Sequence, residues 1–206
     1  MTISEVCILD YGSGNVASVK NSFDRLGVRN KVLNDESDIR NMSHIVLPGV
    51  GAFKTSMEKI MANIPIETVI AEVIKGKPML GICVGMQVLA ENGFEYGIHP
   101  GLNLITGTEV VELPGHVSKP HVGWNSLEIT GSHSILNGIE SGSDFYFVHS
   151  YYMKNVSSSE LIAVSDYGLK FPAVVALDNL IGVQFHPEKS QINGDLLLRN
   201  FLEIVG

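Results

Sequence analysis

Apolar and polar positions along the N-terminal half alternate between short, almost wholly apolar runs and longer stretches of helical spacing. Glu5-Val6-Cys7-Ile8-Leu9 is a near-continuous apolar run that ends in Asp10-Tyr11-Gly12-Ser13-Gly14, the pattern of a strand buried on both faces that enters a glycine turn. Val16, Val19, Phe23 and Leu26 then recur at helical spacing, with Gly27 as the closing C-cap. Lys31-Val32-Leu33, His44-Ile45-Val46-Leu47 and Pro78-Met79-Leu80-Gly81-Ile82 read as further strands. Helices are predicted after Gly51 and over residues 66–75, where Ile66, Val69, Ile70 and Val73 share a face. Strands alternating with helices predict an α/β fold with an open, mostly parallel sheet flanked by helices.

After Gly101 the texture changes. Short apolar pieces at 109–113, 126–129, 144–148, 161–164, 173–177 and 182–185 are separated by Gly, Ser, Pro and Asn, which predicts antiparallel strands added to the sheet in the C-terminal half. Leu196, Leu197, Leu198, Phe201, Leu202 and Val205 predict a last helix packed back on the core. No repeat, low-complexity tract or linker interrupts the pattern, so residues 1–206 are expected to form one domain.

Composition narrows the function classes. Fourteen Lys and Arg against 22 Asp and Glu leave a net charge of −8 over 206 residues, and no basic cluster forms a positive face. Nucleic acid and anionic membranes are therefore poor partners. Hydrophobic content is 45% with 17% charged, yet no apolar stretch approaches the roughly 18 to 20 residues of a membrane span. The excess is expected in the core or at a partner interface. The absence of a basic n-region predicts no signal peptide, and two cysteines suggest a reducing, cytoplasmic setting. Cys7 lies in a strand pattern and Cys83 in a glycine-flanked turn, which predicts one buried and one displayed thiol. No His-x-x-x-His or Cys-x-x-Cys spacing favours a metal.

Four segments carry candidate chemistry. Gly12-x-Gly14-x-x-Ala17, after a strand and before a helix, with Asp35 about 20 residues on, outlines a dinucleotide fingerprint. A plain tight turn fits better, because Asp10 and Tyr11 crowd a position where that fingerprint keeps small or apolar residues. Gly81-Ile82-Cys83-Val84-Gly85 follows an apolar strand and precedes a helix beginning near Met86, the context of a nucleophile elbow with Cys in place of Ser. A helix start also favours thiolate over thiol. Phe185-His186-Pro187-Glu188 supplies a base and an acid to orient it, the two further groups a thiolate nucleophile needs. His121 and His149 are its rivals among seven histidines, but neither has an acidic neighbour. Pro48-Gly49-Val50-Gly51, after the third strand, can offer backbone N–H groups to an oxyanion, joined by Val84 after the nucleophile; an ordinary turn accounts for the glycines equally well.

Taken together and in this order, Pro48-Gly49-Val50-Gly51, Gly81-Ile82-Cys83-Val84-Gly85 and Phe185-His186-Pro187-Glu188 resemble the class I (triad) glutamine amidotransferases. Asp10-Tyr11-Gly12-x-Gly14-Asn15, Pro120-His121-x-Gly123-Trp124-Asn125 and His149-Ser150-Tyr151 are similar to the HisH-type glutaminase branch of that family. The resemblance spans essentially the whole chain. It implies a flavodoxin-like fold and hydrolysis of glutamine to glutamate, with Cys83, His186 and Glu188 as the catalytic triad. It implies that Gln87 and Glu95 bind the glutamine side chain and α-amino group, and that Ser150 and Tyr151 hold its α-carboxylate. Asn15 and Lys189 match positions that face a (β/α)8 cyclase subunit of HisF type, to which ammonia passes for formation of imidazole glycerol phosphate. No metal or organic cofactor is implied. A sugar-nucleotide-modifying synthase as the client, a non-enzymatic binding module and a nicotinamide-dependent oxidoreductase are the competing readings.

Overall fold

The apolar run Glu5–Leu9 forms strand β1, buried from Val6 onward. The computed structural model describes residues 5–12, 15–33 and 35–205. Strands β2 (Arg29–Leu33), β3 (His44–Gly49) and β4 (Met79–Cys83) follow, and every residue of β3 and β4 is buried. Helix α1 (Val16–Arg25) buries Val16, Val19, Ser22 and Phe23, and Gly27 adopts φ +70° just beyond its end, as a C-cap glycine does. Helix α2 (Glu36–Asn41) is an addition to the expected elements: it buries only Ile39, too little for periodicity to reveal it. Asp35 caps it by accepting from the Ser37 backbone N–H at 2.8 Å. That bond occupies the carboxylate a dinucleotide fingerprint would keep for ribose, while Ser13 and Gly14 lie outside the described residues. Helices α3 (Phe53–Asn63) and α4 (Ile66–Ile74) complete this half.

The expected helix near Met86 is a single turn, α5 (Val84–Gln87), starting directly after Cys83. Beyond it lie β5 (Ala90–Gly93), β6 (His99–Pro100), β7 (Ile105–Glu112), β8 (His121–Ser126) and β9 (Glu128–Ile129). Strands β10 (Asp144–His149), β11 (Tyr151–Lys154), β12 (Leu161–Asp166), β13 (Lys170–Leu177) and β14 (Leu180–Val183) follow, then helix α6 (Gln191–Leu202). The main sheet runs β2-β1-β3-β4-β14-β13-β12-β9. It is parallel through β14 and antiparallel from β13 outward.

The expected antiparallel additions are β13, β12 and β9; β14 joins in parallel, while the remaining C-terminal strands form sheets of their own. Strands β8 and β10 pair in a sheet of their own, and β11-β7-β5-β6 form a third. Strand β10 alternates exposed or half-buried with buried positions, burying Phe145, Phe147 and His149. One-faced burial of this kind belongs to a sheet with a wet side and not to a centre covered on both faces. Among the described residues no helix is long and apolar enough to cross a membrane. The parallel pairings Gly49 with Cys83 and Val183 with Ile82 bring the carboxyl ends of β3, β4 and β14 together, where ligand sites of open α/β sheets gather.

Candidate active site

Cys83 ends β4 with φ 55° and ψ −110°, a backbone region that costs a non-glycine residue roughly 1–3 kcal/mol and persists only when its surroundings enforce it. The surroundings are tight backbone contacts that glycine alone permits. A β-carbon on Gly85 would lie 1.8 Å from the Leu47 carbonyl oxygen, and one on Gly81 would lie 2.6 Å from the Gly85 carbonyl oxygen. These glycines let α5 sit on β3 and β4, which leaves the chain between strand and helix no relaxed way to turn. Cys83 is only 3% exposed, less displayed than its turn suggested, and Cys7 is wholly buried. Both are free thiols. Burial pushes the Cys7 thiol up to about 12, with Asp38 adding to the effect.

A cavity of about 300 Å³ opens over Cys83. Val50, Gly51 and Val84 of the expected oxyanion set line it, as do Gln87, Ser150 and Tyr151 of the expected substrate set. Gly51 holds φ +106°, so the backbone at that wall takes a direction that side chains resist. Gly49 and Glu95 are placed differently. Gly49 is buried and does not line the cavity; an added β-carbon there would meet Gly85 N and Tyr11 Oη at 2.6 Å, so close packing requires glycine at this position. Glu95 is drawn to the start of α3, accepting from the Phe53 N–H at 2.6 Å. It remains near enough to Tyr151 to add to the rise in that phenol's pKa, of which burial is the largest cause.

His186 and Glu188 follow β14 on a loop pinned to β10. The His186 N–H donates to Tyr146 O at 2.8 Å, while Ser190 Oγ donates to His186 O at 2.6 Å and accepts from the Tyr146 N–H at 3.0 Å. The two side chains are fully buried and joined through Nδ1 and Oε1 at 2.7 Å. A carboxylate only accepts, so Nδ1 carries the proton and Nε2 is left free, with no hydrogen-bond partner. Burial opposes a charged imidazole, but interaction with the Cys83 sulfur, followed by Glu188, outweighs it and raises the His186 pKa. Burial also opposes a charged Glu188; bonds from His186 and then Asn15 overcome this and hold the carboxyl below its ordinary range.

Asn15, expected at a partner face, is instead 7% exposed and turned inward. Its Nδ2 donates to Glu188 Oε1 at 2.7 Å, because residue 15 opens α1 beside the His186 loop. Lys189 is exposed at the cavity rim, with Nζ 5.7 Å from the centre of the Tyr146 ring. The rival histidines form a buried pair, His121 Nδ1 to His149 Nε2 at 3.1 Å. Burial is the leading cause that lowers them, to about 4 and about 3, so both are neutral near pH 7. Gln184 is the residue that sequence reasoning missed: its Nε2 donates to Cys83 Sγ at 3.8 Å. Its position two residues before His186, in the segment that carries the His-x-Glu pair, was the available signal. Among the described residues no group of three or more His, Cys, Asp or Glu is placed to hold a metal ion.

A glycine-locked cysteine at the end of a parallel strand, facing a buried His–Glu pair across an open α/β sheet, is the arrangement of the glutamine amidotransferases, and a family model described as glutamine amidotransferase class-I matches residues 7–205. The chain belongs to that family. Within it, the chain is similar to proteins named imidazole glycerol phosphate synthase subunit HisH. That of Desulfitobacterium hafniense is 46% identical over 194 residues, covering 94% of this chain and 92% of the relative. That of Archaeoglobus fulgidus is 44% identical over 203 residues, covering 97% and 98%. Among solved structures, a glutamine amidotransferase superposes with TM-score 0.76 at 21% identity, covering 97% of each chain. PurLQS from Thermotoga maritima gives 0.73 at 18% identity, covering 98% of each chain. At those identities the structures speak for the fold alone.

Proposed function

We propose that this chain is the glutaminase subunit of an imidazole glycerol phosphate synthase. It releases ammonia from glutamine and hands it to a (β/α)8 cyclase subunit of HisF type in the cytoplasm. The observation that carries the chemistry is the buried His186–Glu188 pair whose free Nε2 neighbours the Cys83 sulfur. The HisH names of the relatives support the client and the partner subunit.

His186 Nε2 takes the proton of the Cys83 thiol, and the thiolate so formed attacks the side-chain amide carbon of glutamine, forming a tetrahedral oxyanion that faces the Val84 N–H and the backbone at Val50 and Gly51. His186 gives its Nε2 proton to the departing nitrogen, ammonia leaves, and a glutamyl thioester remains. Water then adds to the thioester as His186 takes its proton, and glutamate departs as the Cys83–carbonyl bond breaks. Glu188 keeps the imidazole in one tautomer throughout. Gln87, Ser150 and Tyr151 receive the substrate. Glu95 joins them only if its carboxylate leaves the start of α3, a rearrangement that substrate or partner binding would drive. Lys189, exposed at the cavity rim, and the start of α1, behind which the Asn15 side chain turns inward, are proposed to meet the cyclase. The reaction needs no metal or organic cofactor. Cys83→Ala should abolish glutamine-dependent synthesis by the complex while synthesis from ammonium salts persists; retained glutamate production overturns the proposal. Stimulation only by a sugar-nucleotide-modifying synthase would overturn the choice of client.

A further inference from the structure

Gln184 is fully buried and follows β14, whose pairing sets Gly182 beside Gly81 and Val183 beside Ile82. The next step along this register brings residue 184 level with Cys83. Its amide makes two side-chain bonds: Nε2 donates to Cys83 Sγ at 3.8 Å, and Oε1 accepts from Gln87 Nε2 at 3.1 Å. Neither amide is free to turn. Gln87 Nε2 also donates to the Tyr151 carbonyl at 2.8 Å, and a carbonyl can only accept. Gln87 must therefore present N–H to Gln184, and Gln184 must answer with its oxygen. A flipped Gln184 would oppose two donors and set an oxygen against the sulfur. The same Tyr151 carbonyl accepts from His149 Nδ1 at 2.9 Å. That bond fixes His149 Nε2 as the acceptor for His121 Nδ1, so one backbone oxygen assigns every proton in the chain of bonds.

We infer that Gln184 is a positioning residue that couples the glutamine-binding wall to the nucleophile. Its N–H faces the sulfur because Gln87 and Tyr151, which line the substrate cavity, hold its other end. A donor so placed stabilises negative charge on sulfur, and any movement of the Gln87–Tyr151 wall alters that donor. The inference rests on the proposed glutaminase chemistry and adds to it a link between substrate contact and sulfur charge.

The test uses 6-diazo-5-oxo-L-norleucine, a glutamine-shaped alkylating agent, on the full chain, with adduct formation at Cys83 followed by intact mass. Its KI reads the binding wall and its kinact reads the sulfur. Gln184→Glu keeps an oxygen for Gln87 but removes the donor; kinact should fall about tenfold or more with KI within about twofold of wild type. Gln184→Met removes both bonds at similar length, so kinact should fall and KI rise. Should either variant not fold, Gln184→Asn, one methylene short of spanning both partners, supplies the kinact reading. A kinact within twofold of wild type in the folded variants, or a loss confined to KI, overturns the inference. A wild-type chain that forms no adduct at Cys83 would overturn the proposed function instead.

Discussion

Gly85→Ala adds one carbon at the tightest point of the elbow. Residue 85 is inside α5, where alanine is intrinsically favoured over glycine by about 0.8–1 kcal/mol. The added β-carbon would nevertheless lie 1.8 Å from the Leu47 carbonyl oxygen and 2.9 Å from its carbon. Ordinary contact begins near 3.4 Å, so the two segments must part by well over an ångström. Neither can yield cheaply: Leu47 belongs to wholly buried β3, paired with Gly81 of β4, and α5 holds Cys83 in its strained turn. Overpacking of a closed core costs typically 1–3 kcal/mol, which exceeds the helix gain over most of its range. A net loss of about 1–2 kcal/mol is expected, read as a lower urea midpoint. Activity should fall further than stability, since displacement of a reacting group by about 1 Å can cost a hundredfold in rate. Gly115→Ala is the control: nothing lies within 4 Å of its added carbon, so both midpoint and glutaminase rate should stay at wild type. A Gly85→Ala protein with the wild-type midpoint and more than half the wild-type rate would refute the packing account of the elbow.

Asn15→Leu removes the 2.7 Å donor from Glu188 Oε1. Its loss should lift the Glu188 pKa, move the acid limb of kcat/KM to higher pH and lower the plateau by about tenfold or more, since hydrogen bonds to charged groups contribute roughly 1.5–3 kcal/mol; a profile superimposable on wild type would sink the assignment. The buried pair His121 and His149 predicts acid sensitivity of the fold. Below pH 6.5 the unfolded chain takes up protons at these residues, whereas the native chain does so only near pH 4 and pH 3, so stability must fall as pH drops through that window. Each histidine should contribute a loss of about 2 kcal/mol by pH 5. His186 does not offset this, because its raised pKa gives stability that is already full below pH 6.5 and is lost only as pH rises. Urea midpoints at pH 7 and pH 5 measure the effect, and His121→Phe should reduce it; equal wild-type midpoints would show the pair to be charged or solvated.

The central strands and the elbow were legible because their chemistry is local. A strand buried on both faces must be almost wholly apolar, as β1 is after Glu5, β3 after His44 and β4 along its whole length. Gly-x-Cys-x-Gly and His-x-Glu likewise advertise a nucleophile and its oriented base within a few residues. Helix α2 escaped notice because it has one apolar anchor, Ile39. The three-sheet division escaped notice because alternation reports that a strand has a wet face without naming its partner. Asn15 points inward and Glu95 aside for a similar reason: motif position says which loop a residue occupies, and only packing decides which way its side chain faces.

What the sequence determined by itself was therefore the set of reacting groups and the parallel α/β frame that carries them. Residue types and the spacing of apolar positions act over a handful of bonds, and neither depends on distant contacts. The tertiary structure alone decided how those groups are poised. Glu188, paired with nearby His186, takes a second bond from a side chain 173 positions away, and Cys83 shares its sulfur with an amide 101 positions on. Hydrogen bonds across such separations follow from strand order and register, which fix in space what no local pattern along the chain encodes.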